Sequence, residues 1–112
     1  MVIQRDAKFF ENQNTSNISN TFVNPQADIL TVQVSGGANA FTVAIEGRNS
    51  KDADWIPLAG INLTNLSVST DGITEKGIYE FGIVGIRELR ANLKNISGSV
   101  SVYGQLISTE ET

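Results

Sequence analysis

Residues 29–47 read ILTVQVSGGANAFTVAIEG, and a period of two runs through them. Leu30, Val32 and Val34 fall on one face while Thr31 and Gln33 fall on the other, the alternation of a strand with one buried side. The segment from Ser35 to Asn39 interrupts it with two glycines. Phe41, Val43 and Ile45 then form a second inward set, with Thr42 and Glu46 outward, so the two runs predict a hairpin closed by a Gly-rich loop.

The same reading extends toward the C-terminus. Polar residues 47–54 end the second run, and Trp55, Ile56, Pro57 and Leu58 follow. Pro57 cannot donate a ladder hydrogen bond, which places this piece at an edge or a strand end. Leu63, Leu66 and Val68 suggest a short irregular pair before the Asp71-Gly72 turn. Tyr79, Phe81 and Ile83 alternate again. Beyond Gly85, Leu89, Ala91 and Leu93 oppose Arg90, Asn92 and Lys94, and β-branched and glycine neighbours favour a strand there over the helical stripe that Ile86, Leu89, Arg90 and Leu93 could also form. Val100, Val102, Gly104 and Leu106 give the last inward set. Together these make about seven or eight short strands separated by turn signals. That pattern predicts an all-β fold, an antiparallel β-sandwich or jelly roll, with Phe41, Phe81 and Trp55 in its core.

Toward the N-terminus the pattern fades. Residues 1–27 crowd Asn, Ser and Thr together without a lasting period, and they predict an extended arm ahead of a sandwich over residues 28–112. Phe9, Phe10, Phe22 and Val23 are too apolar for a solvated tail. Ordering each residue costs about 1–2 kcal/mol, so such an arm must gain burial on its own domain or on a neighbouring subunit.

Composition narrows the chemistry. The chain has 112 residues, no cysteine and no histidine, which leaves no disulfide, thiolate zinc site, Cys nucleophile or His-based acid–base pair. One hydrophobic core fits this length. A net charge of −4 with scattered lysines argues against nucleic acid as a partner. No apolar run has the length of a secretion signal or of a membrane span, so synthesis and folding in the cytoplasm are expected.

Several residues could carry more. Trp55 beside Asp52 and Asp54 could stack on a sugar, with Tyr79 and Tyr103 as companions, although a core plug is the favoured reading. Asp52, Asp54, Asp71 and Glu46 offer oxygen ligands to calcium but match no EF-hand spacing, and no metal or cofactor is expected. Glu75, Glu80 and Glu88 could pair as in a glycosidase, yet nothing in the sequence sets their separation, so no enzymatic activity is expected. Triplets such as Asn62-Leu63-Thr64 match the glycosylation pattern, which carries little weight without a secretion signal. Arg87 and Arg90 straddle Glu88 and could serve an interface through a carboxylate fork, or simply line a solvated face.

Five segments carry a family resemblance: Val43-Ala44-Ile45-Glu46-Gly47, Asp54-Trp55-Ile56-Pro57-Leu58, Gly77-Ile78-Tyr79-Glu80-Phe81, Ile86-Arg87-Glu88-Leu89-Arg90-Ala91 and Gly98-Ser99-Val100-Ser101-Val102. In order and spacing the chain resembles small virion proteins of tailed bacteriophages and prophages. The resemblance implies a capsid decoration or head-fibre protein, or a tail or baseplate accessory domain, with no catalytic residues. Its partners would be the major capsid protein or other virion proteins, and further copies of itself in a dimer or trimer that covers exposed sheet edges. Arg5, Lys8, Phe9, Phe10, Phe22 and Val23 would then anchor the arm, and deleting residues 1–22 would abolish attachment while leaving the domain folded. A module binding host-surface glycans is the rival expectation.

Overall fold

The inward sets anticipated from the alternation face inward in the structure. The computed structural model describes residues 3–109. Among them are eleven strands: β1 (Ile3–Gln13), β2 (Asn17–Ile18), β3 (Phe22–Val23), β4 (Ile29–Ser35), β5 (Ala40–Arg48), β6 (Ile56–Pro57), β7 (Gly60–Asn62), β8 (Val68–Ser69), β9 (Gly77–Gly82), β10 (Glu88–Ser97) and β11 (Val100–Ser108). Four of these, β2, β3, β6 and β8, have two residues each, which accounts for the excess over the expected number. The strands build two antiparallel sheets, one in the order β1-β11-β4-β9-β7-β8, the other in the order β2-β10-β5-β6 with β3 also on β10. Leu30, Val32, Tyr79, Phe81 and Val102 from the first sheet meet Phe41, Val43, Ile45, Leu89 and Leu93 from the second in one buried core. Full burial of a side chain of this size is worth roughly 1.5–3 kcal/mol, so this layer dominates stability.

β4 and β5 do not form the expected hairpin. β4 lies between β11 and β9 in one sheet, while β5 lies between β10 and β6 in the other. The Gly-rich loop therefore carries the chain from sheet to sheet. It passes so close to the β10–β11 turn that a Cβ on Gly36 would sit 2.7 Å from the Ser99 carbonyl oxygen, and one on Gly98, whose φ is +99°, 2.8 Å from the Ala38 Cα. Only glycine fits both places.

The expected N-terminal arm is a second correction. β1 pairs with β11 along its length, from Ile3 opposite Ser108 to Gln13 opposite Val100, and forms one edge of the larger sheet. Register shifts on either side of Phe10 break the alternation, so the consecutive Phe9 and Phe10 are both buried. Phe9 packs edge-to-face on Phe22 with ring centroids 5.0 Å apart. Residues 14–27 then run along the outer edge of β10: the Ser19 amide donates to the Ala91 carbonyl at 2.8 Å, and the Asn24 side chain donates to the Ile86 carbonyl at 2.8 Å. The segment gains its burial on its own domain.

Tyr79 is the largest side chain in the core. Its hydroxyl donates to the Glu75 carbonyl at 2.8 Å and lies 3.4 Å from the Asn62 side-chain nitrogen. Burial raises its pKa above 10.0, the Glu75 carboxylate adds to the rise, and the Asn62 bond opposes it. The folded chain thus keeps a proton that the unfolded chain releases. Its contribution is fully present below about pH 10 and is lost as pH rises through the folded pKa. In Tyr79→Phe this alkaline loss is expected to flatten, as read from urea midpoints measured on both sides of about pH 10.

Candidate functional site

On the outer face of the smaller sheet four charges alternate across two strands. Arg48 on β5 sits opposite Glu88 on β10, and Glu46 sits opposite Arg90. Both pairs are short, with Arg48 Nε 2.7 Å from Glu88 Oε1 and Arg90 Nε 2.7 Å from Glu46 Oε1. Asn92 adds a longer bond to Glu46 at 3.4 Å. Directly opposed unlike charges of this kind stabilise an antiparallel pair. The loop after β5 then brings Trp55 over them. The guanidinium carbons of Arg48 and Arg90 lie 4.3 and 4.4 Å from the centre of its ring, two cation–π contacts on one indole.

Trp55 is therefore no core plug. It is half-buried on the outside of the sheet, where it packs on the Arg48 and Arg90 guanidiniums and ties the loop of residues 49–55 to β10. Sequence alternation could not show this, because the lid comes from an irregular segment and one of its two partners, Arg90, lies on a strand more than 30 residues later. Trp55→Ala is expected to destabilise by about 2 kcal/mol, two partly desolvated cation–π contacts plus some burial, rather than the roughly 3–5 kcal/mol of a core tryptophan. Chemical denaturation of the two proteins checks this.

The other candidates are dispersed. Phe41 and Phe81 are core residues as expected. Phe9 and Phe10 are also core residues, Phe22 packs against the core, and of the arm set Arg5, Lys8 and Val23 remain exposed, with Lys8 paired to Glu11 at 3.1 Å. Arg87 and Arg90 do not share a role: Arg90 is committed to Glu46 and Trp55, whereas Arg87 is exposed beside two shallow clefts at one end of the sandwich. Glu80 and Glu88 stand on different sheets, so they cannot act as a pair. Glu46 is taken by Arg90. Among the described residues no three His, Cys, Asp or Glu side chains converge as metal ligands do. Of the aromatics considered for sugar stacking, Tyr79 is buried and Trp55 is engaged by two guanidiniums, while Tyr103 alone is exposed.

One feature escaped the sequence reading altogether. The β7–β8 hairpin and its neighbour β9 expose Ile61, Leu63, Leu66, Val68 and Ile78 together. In the sequence these residues resemble any other strand positions, and only the register shows that Ile61, Leu63, Val68 and Ile78 share the outer face, with Leu66 in the turn beside them.

The fold and its family are now visible together. A family model described as XepA matches residues 4–106. The chain belongs to the XepA family. Two solved structures share its fold. The SPBc2 prophage-derived protein YomS superposes with a TM-score of 0.88 at 20% identity, covering 96% of each chain. The PBSX exported protein XepA superposes with a TM-score of 0.88 at 22% identity, covering 96% of this chain and 38% of XepA. No curated protein sequence matches the chain. The expected kinship with phage and prophage proteins holds, and this XepA-family member is all-β, like its solved neighbours.

Proposed function

We propose that this chain is a non-enzymatic structural protein of a phage particle, a head accessory that decorates the capsid by docking on the major capsid protein or another virion protein. The observation that carries this reading is the XepA-family match across residues 4–106. A second feature supports it: the larger sheet ends in β1, whose 11 residues leave one strand edge open. Such edges are normally covered, and a second copy in a dimer or trimer would cover this one. Attachment by an N-terminal arm is not carried forward, because Phe9 and Phe10 are spent in the core. No cofactor, nucleic acid or membrane enters this reading.

A second reading has a specific support, since XepA is described as an exported protein. In that case the chain leaves the producing cell without joining a particle. Peptide mass spectrometry of gradient-purified particles, with heads and tails separated and copies counted against the major capsid protein, tests both. High copy number on heads is the expected result. Recovery on tails alone moves the protein to the tail or baseplate, and recovery from the medium but from no particle overturns the virion reading in favour of export.

A further inference from the structure

The β7–β8 hairpin turns its apolar side chains toward water in one contiguous group. Asn62 and Tyr79 face each other in the β7–β9 ladder and are buried, so by alternation Ile61, Leu63 and Ile78 stand on the outer face. Val68 lies directly opposite Ile61 on β8. Exposure of the group runs from 42% at Ile61 to 73% at Leu66, in the turn. Single exposed apolar residues are ordinary, but a cluster of this kind marks a surface that something covers.

Leu66 adds an independent observation. Its φ is +62°, in the left-handed region where glycine or asparagine normally stands. The turn holds it there. The Leu66 amide donates to the Asn62 carbonyl at 2.7 Å, the Asn62 side chain accepts from the Thr64 amide at 2.8 Å, and the Asn65 side chain accepts from both the amide and the hydroxyl of Ser67. A large apolar side chain is thus kept in a strained backbone and in water, and neither expense benefits this chain alone. Strain retained in this way points to a functional contact.

The surroundings choose the occupant. Residues 60–82 contain three acids, Asp71, Glu75 and Glu80, and a single cation, Lys76. Glu80 lies directly across from Ile61 on the outer face. Two copies docked symmetrically here would bring their Glu80 carboxylates together, and an anionic membrane surface would be repelled. Neither of two clefts elsewhere on the chain matches it: the apolar one lined by Ile56, Leu58 and Ile86 has Arg48 on its rim, but that guanidinium is committed to Glu88, and the one beside the exposed Arg87 is lined by Asn24, Gln26 and the carboxylate of Asp28. We infer that the β7–β8 hairpin is a docking tip for a different protein, one that presents an apolar groove rimmed by Lys or Arg. This goes beyond the virion role, since it holds for such a partner on or off a particle.

The test places a photo-crosslinking p-benzoylphenylalanine at Leu66 of the full chain in the producing strain, with the same residue at the exposed Lys94 on the other sheet as control. The expected result is an adduct at position 66 only, to a protein other than this chain, whose crosslinked peptide is apolar and flanked by Lys or Arg. Leu66→Asn and Glu80→Lys should each lower recovery of that protein about tenfold. Leu66→Asn should do so with an unchanged or higher melting temperature, because Asn accepts the left-handed backbone. Adducts to a second copy or to lipid, adducts independent of position, no adduct, or unchanged recovery in both variants would each overturn the inference. The virion reading fails separately: an adduct on a chain that never joins particles removes that reading and leaves the docking tip, and particle-bound chain without the adduct does the reverse.

Discussion

Removal of residues 1–13 is expected to abolish cooperative folding. The deletion takes away β1 (Ile3–Gln13), which pairs with β11 and places Ala7, Phe9 and Phe10 in the core. Loss of a buried phenylalanine costs roughly 3–5 kcal/mol, so losing two comes to about 6–10 kcal/mol, comparable with the entire stability of a small domain. The deletion also bares the full edge of β11, a long apolar strand prone to pairing with other chains. Near-ultraviolet circular dichroism and a thermal melt of the truncated chain check this: no cooperative transition is expected, and a native-like melt would show that β1 is a detachable arm after all. The outcome reverses what the sequence suggested for a deletion of residues 1–22, and the single variant Phe9→Ala should already lower stability by about 3 kcal/mol or more.

Replacement of Glu46 has the next largest effect. The carboxylate is buried and accepts from Asn92 and from Arg90, the guanidinium that also lies against Trp55. Glu46→Ala leaves the Arg90 guanidinium without its partner. Breaking a fully buried ion pair costs about 3–5 kcal/mol, but the Arg90 side chain keeps 20% of its exposure and water recovers part of the loss. The expected destabilisation is about 2–3 kcal/mol. Glu46→Gln keeps an acceptor for Arg90 and should lose about half as much. Because Trp55 is the only tryptophan, its emission reports the same event, and a shift toward the red in Glu46→Ala is expected as the indole loosens. Unchanged stability and unchanged emission would mean that the two ion pairs act independently of the lid.

What the sequence showed and what it hid follow from how each element is stabilised. β4, β5, β9, β10 and β11 alternate over most of their length because one face packs on the core, and that pattern survives in one dimension. β1 was unreadable because bulges near Phe10 put two neighbouring residues on the buried side. The pairing of consecutive strands was misread at residues 36–39, since a Gly-rich loop serves a sheet crossing as well as a hairpin. Trp55 was assigned to the core because aromatic size was the only local cue, whereas its position is set by Arg48 and Arg90, held in register by a strand that begins at Glu88. The exposed hairpin was legible least of all. Ile61, Val68 and Ile78 have the residue types of a core, and only the three-strand register reveals that they face outward.

Cryo-electron microscopy of particles from the producing strain, compared with particles from a strain lacking this chain, tests the central claim most directly. A virion protein of this shape should appear as difference density of about 44 × 33 × 22 Å, repeated with the symmetry of the shell. The same density confined to the tail would place the chain there. Particles identical with and without the chain would contradict the claim that it is a structural component of the virion.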